Sequence, residues 1–287
     1  MADVPQIVVV TGAPGQGRIT PLVLSLIATE TGAGVSGVRV LREGEAVEAP
    51  LRMPNVKSLL ASLADQPLDI NVVPTTQRRK QLLVADMDST IIQQECIDEM
   101  ADMLGLKAQI SAITERAMRG ELKFEDALNE RLGLLKGLEE AKLQQVFDER
   151  IKLMPGAKTL LSTMKVHGAF TALVSGGFTF FTGRVAKLVG FDVDHSNTLG
   201  LESGRLTGRV VGPILGKEAK LASLKKYTRE RGLDPGATLA VGDGANDLCH
   251  AVTRPAVRQQ HRPAIANRAG LARHAVEIDA DIRGEVH

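Results

Sequence analysis

The sequence predicts an α/β protein built on a Rossmann-like parallel sheet, with a helical insertion in that sheet and a small α+β module before it. Apolar runs typical of buried parallel strands occur at 82–85, 170–174 and 238–241. Each run is followed at once by polar residues, and helical stretches separate the runs. Strands that alternate with helices in this way predict βαβ units and a parallel sheet.

The bulk composition is that of a globular domain protein and excludes several classes. The chain has 287 residues, 44% of them hydrophobic and 24% charged, which allows one large domain or two ordinary ones. A net charge of +1 gives no electrostatic reason to expect nucleic acid or a membrane surface as a partner. Two cysteines cannot form a disulfide framework, and the N-terminus lacks the pattern of a signal peptide. We therefore expect a cytoplasmic protein.

The first part of the chain predicts a small α+β domain. Its expected elements are strands at 6–10, 35–41 and 67–74 and helices at 22–27 and 56–63. The polar run 75–80 is typical of a linker, so we place domain boundaries at 1–78 and 79–287. The turn from Gly12 to Gly17 is rich in glycine, but it has neither the Gly-Lys-Ser/Thr ending of a P-loop nor the spacing of a dinucleotide fingerprint. We interpret it as structural.

A helical insertion follows the first strand of the second domain. Between about 96 and 150, leucine, methionine and phenylalanine recur at spacings of three and four among charged residues. Pro155-Gly156 then marks the start of another helix, which leads to the second strand.

The polar clusters after the three strands predict a functional site. Asp86 and Asp88 follow the first strand, Ser175 the second, and Asp243 and Asp247 the third. The carboxyl ends of parallel strands meet at one edge of a sheet, where α/β proteins bind ligands. Several carboxylates close together require a cation, and Mg²⁺ prefers such oxygen ligands. Glycines beside Ser175 and Asp243 let backbone N–H groups approach an anion, for which phosphate is the natural candidate.

These motifs resemble those of the haloacid dehalogenase-like (HAD) phosphatases. The matching segments are Asp86-Met-Asp88-Ser-Thr90, Ser175-Gly-Gly177, a downstream lysine, and 242–247 with its Gly-Asp-Gly-x-Asn-Asp pattern. Lys217 and Lys220 are both candidates for the lysine. We choose Lys220, because the segment 220–224 is similar to the family's Lys-x-x-x-Leu helix.

The resemblance implies a role for each motif residue. Asp86 would be the nucleophile and Asp88 the general acid and base. Ser175 and Lys220 would hold the phosphoryl oxygens. Mg²⁺ would be bound by Asp86, the Asp88 carbonyl and Asp243, with support from Asp247 and Asn246.

Within this family, the sequence most resembles the members that hydrolyse O-phospho-L-serine. That hydrolysis is the last step of serine biosynthesis. The resemblance covers roughly residues 80–250, including the stretches 86–99 and 117–137. It implies that Arg131 binds the substrate carboxylate, Glu95 the ammonium group, and that Met118 and Phe124 of a helical cap cover the aliphatic part. The substrate-binding residues implied are Glu95, Met118, Phe124, Arg131, Ser175, Gly176 and Asn246. From the residues alone, Glu95 and Arg131 are more typical of surface charges on a helix, and Met118 and Phe124 could equally be core residues.

Two other functions remain open at this point. One is hydrolysis of another small amino- or hydroxy-acid phosphate; the other is a catalytically disabled protein that binds a metabolite. The strand–helix–strand–strand–helix–strand order of the N-terminal domain is similar to the small-molecule-binding ACT type, which makes a homodimer plausible. Apart from that, the small-molecule substrate is the only partner expected.

The resemblance ends after Leu248. The run from Arg258 to Arg262 is charged and polar where the family has a buried strand, and Pro255 and Pro263 would interrupt pairing there. Either true divergence or a locally altered reading frame accounts for this segment. The motif residues all precede it.

Overall fold

A computed structural model describes residues 5–52 and 56–243. These residues divide into two compact units between Arg79 and Lys80. The segment after Leu248, for which the sequence predicted a departure from the family, lies outside the described residues. None of the described helices is long and apolar enough to cross a membrane.

The N-terminal unit is a four-stranded antiparallel sheet with two helices, in strand order β2-β3-β1-β4. The strands are β1 (Gln6–Gly12), β2 (Arg39–Arg42), β3 (Ala46–Pro50) and β4 (Leu68–Pro74), and the helices are α1 (Pro21–Glu30) and α2 (Val56–Ser62). The alternate residues Val8 and Val10 of β1 are buried together with Val47 of β3 and with Ile27 and Leu59 of the helices. This period of two is what a sheet with one covered face requires.

One strand in this unit begins later than predicted. The sequence predicted a strand over 35–41, but Val35–Gly37 form a single 3₁₀ turn and β2 starts at Arg39. The reason lies in Gly34, whose φ of 68° turns the chain before the strand can start.

The Gly12–Gly17 turn is structural in character, as expected. The Gly15 N–H donates to the carboxylate of Glu45 at 2.8 Å, so an acidic side chain of the protein occupies this donor. A Cβ on Gly44 would come within 3.1 Å of the Gly17 backbone. The glycines therefore serve a close approach of two turns.

The second unit contains a five-stranded sheet in the order β8-β7-β6-β5-β9. Its strands are β5 (Leu82–Ala85), β6 (Phe170–Phe178), β7 (Val193–Glu202), β8 (Arg205–Val211) and β9 (Thr238–Val241). Strand β5 is parallel to β6 and β9, and β6 is parallel to β7. All four residues of β5 are buried, as expected for a central strand covered on both faces. The predicted parallel α/β sheet is confirmed.

Seven helices of the second unit lie among the described residues. They are α3 (Cys96–Asp102), α4 (Lys107–Met118), α5 (Phe124–Leu134), α6 (Glu140–Glu149), α7 (Ala157–Val166), α8 (Thr179–Val189) and α9 (Lys217–Glu230). Helices α3 to α6 occupy the place of the predicted insertion between β5 and β6. Gly156, in the left-handed conformation at φ 91°, caps the start of α7 where Pro155-Gly156 predicted it.

The sequence analysis did not identify the hairpin formed by β7 and β8. These strands are antiparallel and joined by Ser203 and Gly204, both with positive φ. After Val193, β7 continues with five polar residues, 194–198, and neither strand contains the long apolar run that is typical of a buried strand. The sheet therefore has an antiparallel edge in addition to the three strands predicted.

Candidate active site

The polar clusters meet at one edge of the sheet because β6, β5 and β9 are adjacent and parallel. Asp86 directly follows β5, and its N–H continues the ladder to β9 by donating to the Val241 carbonyl at 2.9 Å. Ser175 lies within β6, and Asp243 follows β9 by two residues. A cavity of about 630 Å³ opens at this edge. The predicted site residues that line it are Asp86, Asp88, Glu95, Phe124, Arg131, Ser175, Gly176, Lys220 and Asp243.

Asp86 forms a buried ion pair with Lys220. The Lys220 ammonium contacts Oδ2 of Asp86, while Oδ1 accepts from the Met87 N–H at 2.7 Å. Lys220 is only 4% exposed and reaches the strand end from the first turns of α9. A buried ammonium requires such a partner. The structure thus brings the chosen lysine to Asp86; the side chain of the alternative, Lys217, lies outside the described part.

Asp88 is held by hydrogen bonds on both oxygens. Its Oδ1 accepts from the Cys96 N–H at 2.9 Å, and its Oδ2 accepts from the Ser175 hydroxyl at 3.4 Å. Burial raises the pKa of Asp88, and these hydrogen bonds oppose the rise. The charge of Asp243 raises the pKa further, so that the net direction is upward. A carboxyl with a raised pKa can carry and return a proton.

A tight glycine turn brings Ser175 next to Asp88. The Gly177 N–H donates to the Ser175 hydroxyl oxygen at 2.9 Å. A Cβ on Gly177 would come within 2.8 Å of Asp88 Oδ2 and 3.1 Å of Ser175 Oγ. Only glycine leaves room for this arrangement.

Glu95 lies on the helical side of the cavity, immediately before α3. Its Oε1 accepts from the Ser89 hydroxyl at 2.6 Å. The cavity walls remove much of the surrounding water and Asp88 adds negative charge, which together raise the pKa of Glu95 to about 8. A cation placed beside Glu95 would favour its ionised form.

Arg131 enters the cavity from α5. Its Nε donates to the Ala127 carbonyl at 3.2 Å and its Nη1 to the Thr114 hydroxyl at 3.4 Å. The guanidinium group is half-buried, and burial lowers its pKa while the charges of Asp98 and Glu95 raise it. Arginine stays protonated in proteins, so this group presents a fixed positive charge to the cavity.

Phe124 and Met118, the two residues expected to cover the aliphatic part of the substrate, lie in different places. The Phe124 ring lies against Gly176 and Gly216, where added Cβ atoms would come within 3.2 and 3.5 Å of it. Met118 does not line the cavity: it is 83% exposed at the end of α4 and borders a smaller hollow of about 280 Å³ beside Phe124 and Arg131. The structure therefore places Phe124, and not Met118, at the site. Met118 is the last residue of α4 and Phe124 the first residue of α5, so the turn between these helices separates the two side chains.

Two predicted site residues are not among the described residues, and several residues that line the cavity were not predicted from the sequence. Asn246 and Asp247 are outside the described residues. Lys123, Glu125 and Glu218 line the cavity mouth without having been identified from the sequence. Asn197, 2% exposed, contacts two loops of the cavity wall. It lies in the hairpin that the sequence analysis missed, and no motif surrounds it.

The carboxylates suit a hard divalent cation. Asp86, Asp88 and Asp243 all line the cavity and supply oxygen donors of the kind Mg²⁺ prefers. Within the described ranges, no three His, Cys, Asp or Glu side chains are grouped as a metal cage. The Asp88 carboxylate is engaged by Cys96 and Ser175, so its backbone carbonyl is the oxygen left for the ligand role that the family resemblance implies. The donor set fits Mg²⁺.

The fold and the site together define an α/β protein whose parallel strands end in a cavity lined by carboxylates. The sequence profile of the haloacid dehalogenase-like hydrolases matches residues 83–251. The chain belongs to this family. The resemblance seen in the motifs is thereby confirmed.

Two relatives show which members of this family the chain is similar to. The chain is 46% identical over 182 residues to the phosphoserine phosphatase of Archaeoglobus fulgidus, covering 63% of this chain and 53% of that protein. It is 43% identical over 209 residues to the phosphoserine phosphatase of a Polaromonas species, covering 67% of this chain and 87% of that protein. The chain thus spans about half the length of the first relative and most of the second.

A solved structure is similar as well. It is a phospho-aspartyl intermediate analogue of phosphoserine phosphatase, with a TM-score of 0.55 and 37% sequence identity. The match covers 60% of this chain and 81% of that one.

Proposed function

We propose that the protein hydrolyses O-phospho-L-serine to L-serine and phosphate through an aspartyl-phosphate intermediate. The observation that carries the proposal is the pairing of two sets of groups in one cavity. Asp86, Asp88, Ser175 and Lys220 form the sheet side, and Glu95 and Arg131 face them from the helical side. The first set suits a phosphate and the second an amino acid.

The first step is an in-line displacement at phosphorus. A carboxylate oxygen of Asp86 attacks, the bond from phosphorus to the serine oxygen breaks, and the electron pair leaves with that oxygen. Asp88, whose pKa is raised by burial, donates the proton that makes the leaving group serine. Covalent catalysis of this kind divides a difficult hydrolysis into two easier displacements.

In the second step water attacks the phosphorus of the aspartyl-phosphate. Asp88, now ionised, takes a proton from that water, and the carboxylate of Asp86 is released together with phosphate. The Ser175 hydroxyl, the glycine-turn amides and the Lys220 ammonium hold the phosphoryl oxygens, where negative charge spreads in the transition state.

The proposed cofactor is Mg²⁺, held by the Asp86 carboxylate, the Asp88 carbonyl and Asp243, with Asp247 and Asn246 supporting. When bound, the ion neutralises negative charge that the carboxylates and phosphate bring together. The chain's own part is to supply oxygen ligands and to keep Lys220 paired to Asp86.

The helical side would read the amino-acid part. The Arg131 guanidinium suits bidentate binding of a carboxylate. Glu95, with its raised pKa of about 8, would bind the ammonium group and be ionised by it. Phe124 covers the aliphatic part and excludes water, and we retain Met118 as a candidate only if helices α4 and α5 move on binding. In this proposal α3 to α6 form the cap of the family.

Four further assignments belong to the proposal. The N-terminal unit, with its antiparallel sheet, is proposed as a small-molecule-binding module of the ACT type within a domain of residues 1–78, before a catalytic domain of residues 79–287. A homodimer and a cytoplasmic location follow from the sequence expectations. The reaction would complete serine biosynthesis.

Serine release from phosphoserine, measured with added Mg²⁺ and with a chelator, tests the proposed function. Turnover that requires Mg²⁺ supports it. Faster turnover of another small amino- or hydroxy-acid phosphate would contradict phosphoserine as the substrate. If none of these compounds shows Mg²⁺-dependent turnover, the enzyme proposal fails and a metabolite-binding protein is left.

A further inference from the structure

Asn197 of β7 connects two segments of the cavity wall: the bulged part of β6 around Gly176, here called the first loop, and residues 212–216, the second loop. Its Nδ2 donates to the Gly176 carbonyl at 2.8 Å and to the Leu215 carbonyl at 3.3 Å. Its Oδ1 accepts from the Leu215 N–H at 2.7 Å. A primary amide has two N–H donors and one acceptor oxygen, and all are used here. The residue is 2% exposed, so water does not compete for these bonds.

The first loop interrupts the pairing of β6 with β7. Val174 pairs with His195 and Phe178 with Asn197, a step of four residues in β6 against two in β7. Such a bulge leaves its extra residues without ladder hydrogen bonds. Gly176 lies inside it, so the side chain of Asn197 supplies a bond that the backbone of β7 does not.

The second loop leads into α9. Leu215 is followed by Gly216, which caps the helix, and Lys220 lies on the helix's first turns. Residues 212–216 form neither strand nor helix. Holding both the N–H and the carbonyl of Leu215 therefore fixes where α9 begins.

We propose that Asn197 is a positioning residue that sets the distance between the Ser175–Gly177 turn and the start of α9. The turn carries the Ser175 hydroxyl and the Gly177 amide, and α9 carries the Lys220 ammonium. With the two loops tied together, these groups converge on one phosphoryl group. The inference rests on the proposed function only in taking a phosphoryl group as the ligand of these donors.

The expected effect is on catalysis and phosphate binding more than on folding. A displacement of about 1 Å in groups that hold a reacting species can lower the rate about a hundredfold. Loosening either loop moves donors that act in the transition state, so kcat falls and phosphate affinity falls with it. If Asn197 had only a structural role, its replacement would lower the melting temperature. The kcat and the phosphate affinity of the folded protein would then stay unchanged.

Two variants test the inference. Asn197→Asp keeps the shape and the acceptor but turns a carboxylate oxygen toward the Gly176 carbonyl. Asn197→Ala removes the amide, and it carries the test if the buried carboxylate of Asn197→Asp prevents folding. The matched control is Ser196→Ala: Ser196 is buried in the same strand and bonds Thr182 at 2.8 Å, away from the cavity.

Each variant is measured for thermal unfolding, for kcat and KM on phosphoserine, and for binding of inorganic phosphate by calorimetry in the presence of Mg²⁺. The expected result is a loss of about tenfold to a hundredfold in kcat/KM, together with weaker phosphate binding, for both Asn197 variants. Ser196→Ala is expected to keep the kcat/KM and the phosphate affinity of the wild type, while losing about as much thermal stability as the Asn197 variants.

The inference is overturned if the folded Asn197 variants bind phosphate as the wild type does, or if Ser196→Ala loses as much affinity. Failure of the proposed function looks different. In that case the wild type binds phosphate without releasing serine, and the phosphate titration still decides the role of Asn197.

Discussion

Lys220 and Asp86 form a buried ion pair at the carboxyl end of the central parallel strand, with Lys220 4% exposed. The pair joins α9 to β5, the first strand of the second unit. It places an ammonium group beside the carboxylate proposed to attack phosphorus. Breaking such a pair leaves a charge without its partner and removes a group that would stabilise the transition state.

Replacement of Lys220 is the first prediction. We expect Lys220→Gln to lower kcat by about a hundredfold to a thousandfold, the range observed when one donor to a developing negative charge is removed. Lys217→Gln is the matched control and should retain most of the activity. Steady-state kinetics of both variants decides the assignment; the reverse ranking would move the role to Lys217.

Arg131 should determine substrate specificity. Arg131→Ala removes a charged donor whose loss costs about 1.5–3 kcal/mol, so kcat/KM on phosphoserine should fall about tenfold or more. Hydrolysis of an aryl phosphate, which has no carboxylate, should be largely spared. Arg116→Ala serves as control, since Arg116 pairs with Glu130 on the helix surface. Equal losses on both substrates would argue against carboxylate recognition by Arg131.

The Gly177 turn should tolerate no side chain. In Gly177→Ala the new Cβ would lie 2.8 Å from Asp88 Oδ2, so the turn or the carboxyl must shift. We expect kcat to fall at least about tenfold, because both proton transfer and phosphoryl binding depend on this geometry. Gly183→Ala, in α8 with 3.9 Å to its nearest neighbour, should be fully active and slightly more stable. Activity of Gly177→Ala at the level of this control would refute the steric argument.

The N-terminal unit should lose stability in acid through Glu48. Burial raises the pKa of Glu48, but hydrogen bonds and charges from Arg78 and Arg39 lower it more, so the net direction is downward. A carboxyl with a lowered folded-state pKa stabilises the protein above its unfolded pKa of about 4.3, and this contribution disappears as pH falls through the folded value.

Urea unfolding followed by circular dichroism checks this expectation. Relative to wild type, Glu48→Gln should be less stable at about pH 7, with the difference shrinking toward about pH 3. Glu43→Gln, at an exposed position, should follow the wild type throughout. A constant difference at all pH values would show that the ion pairs do not set the acid sensitivity.

The parts of the site that the sequence predicted share a physical origin. Buried strands must be apolar, so a polar residue at the end of an apolar run marks the edge of a parallel sheet. Asp86 directly follows β5, whereas Ser175 follows the apolar run of β6 and lies inside that longer strand. The order β6-β5-β9, with parallel pairing, brings those edges together. The resemblance to a known family then selected Lys220 over its neighbour.

Other features depend on tertiary context that no local pattern carries. Strand β7 begins with a polar run and lacks the apolar pattern of a buried strand. Asn197 lies in that run, and only the folded structure shows that it bonds two segments of the cavity wall. Met118 matched the expected pattern, yet the turn between α4 and α5 leaves it exposed. The direction in which a helix-end side chain points is fixed by packing and not by spacing.

Trapping the covalent intermediate tests the central claim most directly. The protein is mixed with phosphoserine carrying a radioactive phosphoryl group, quenched in acid and digested. The account predicts transient label, sensitive to hydroxylamine, on the peptide that contains Asp86, and none in Asp86→Asn. Serine release without labelled protein, or label on another residue, would contradict it.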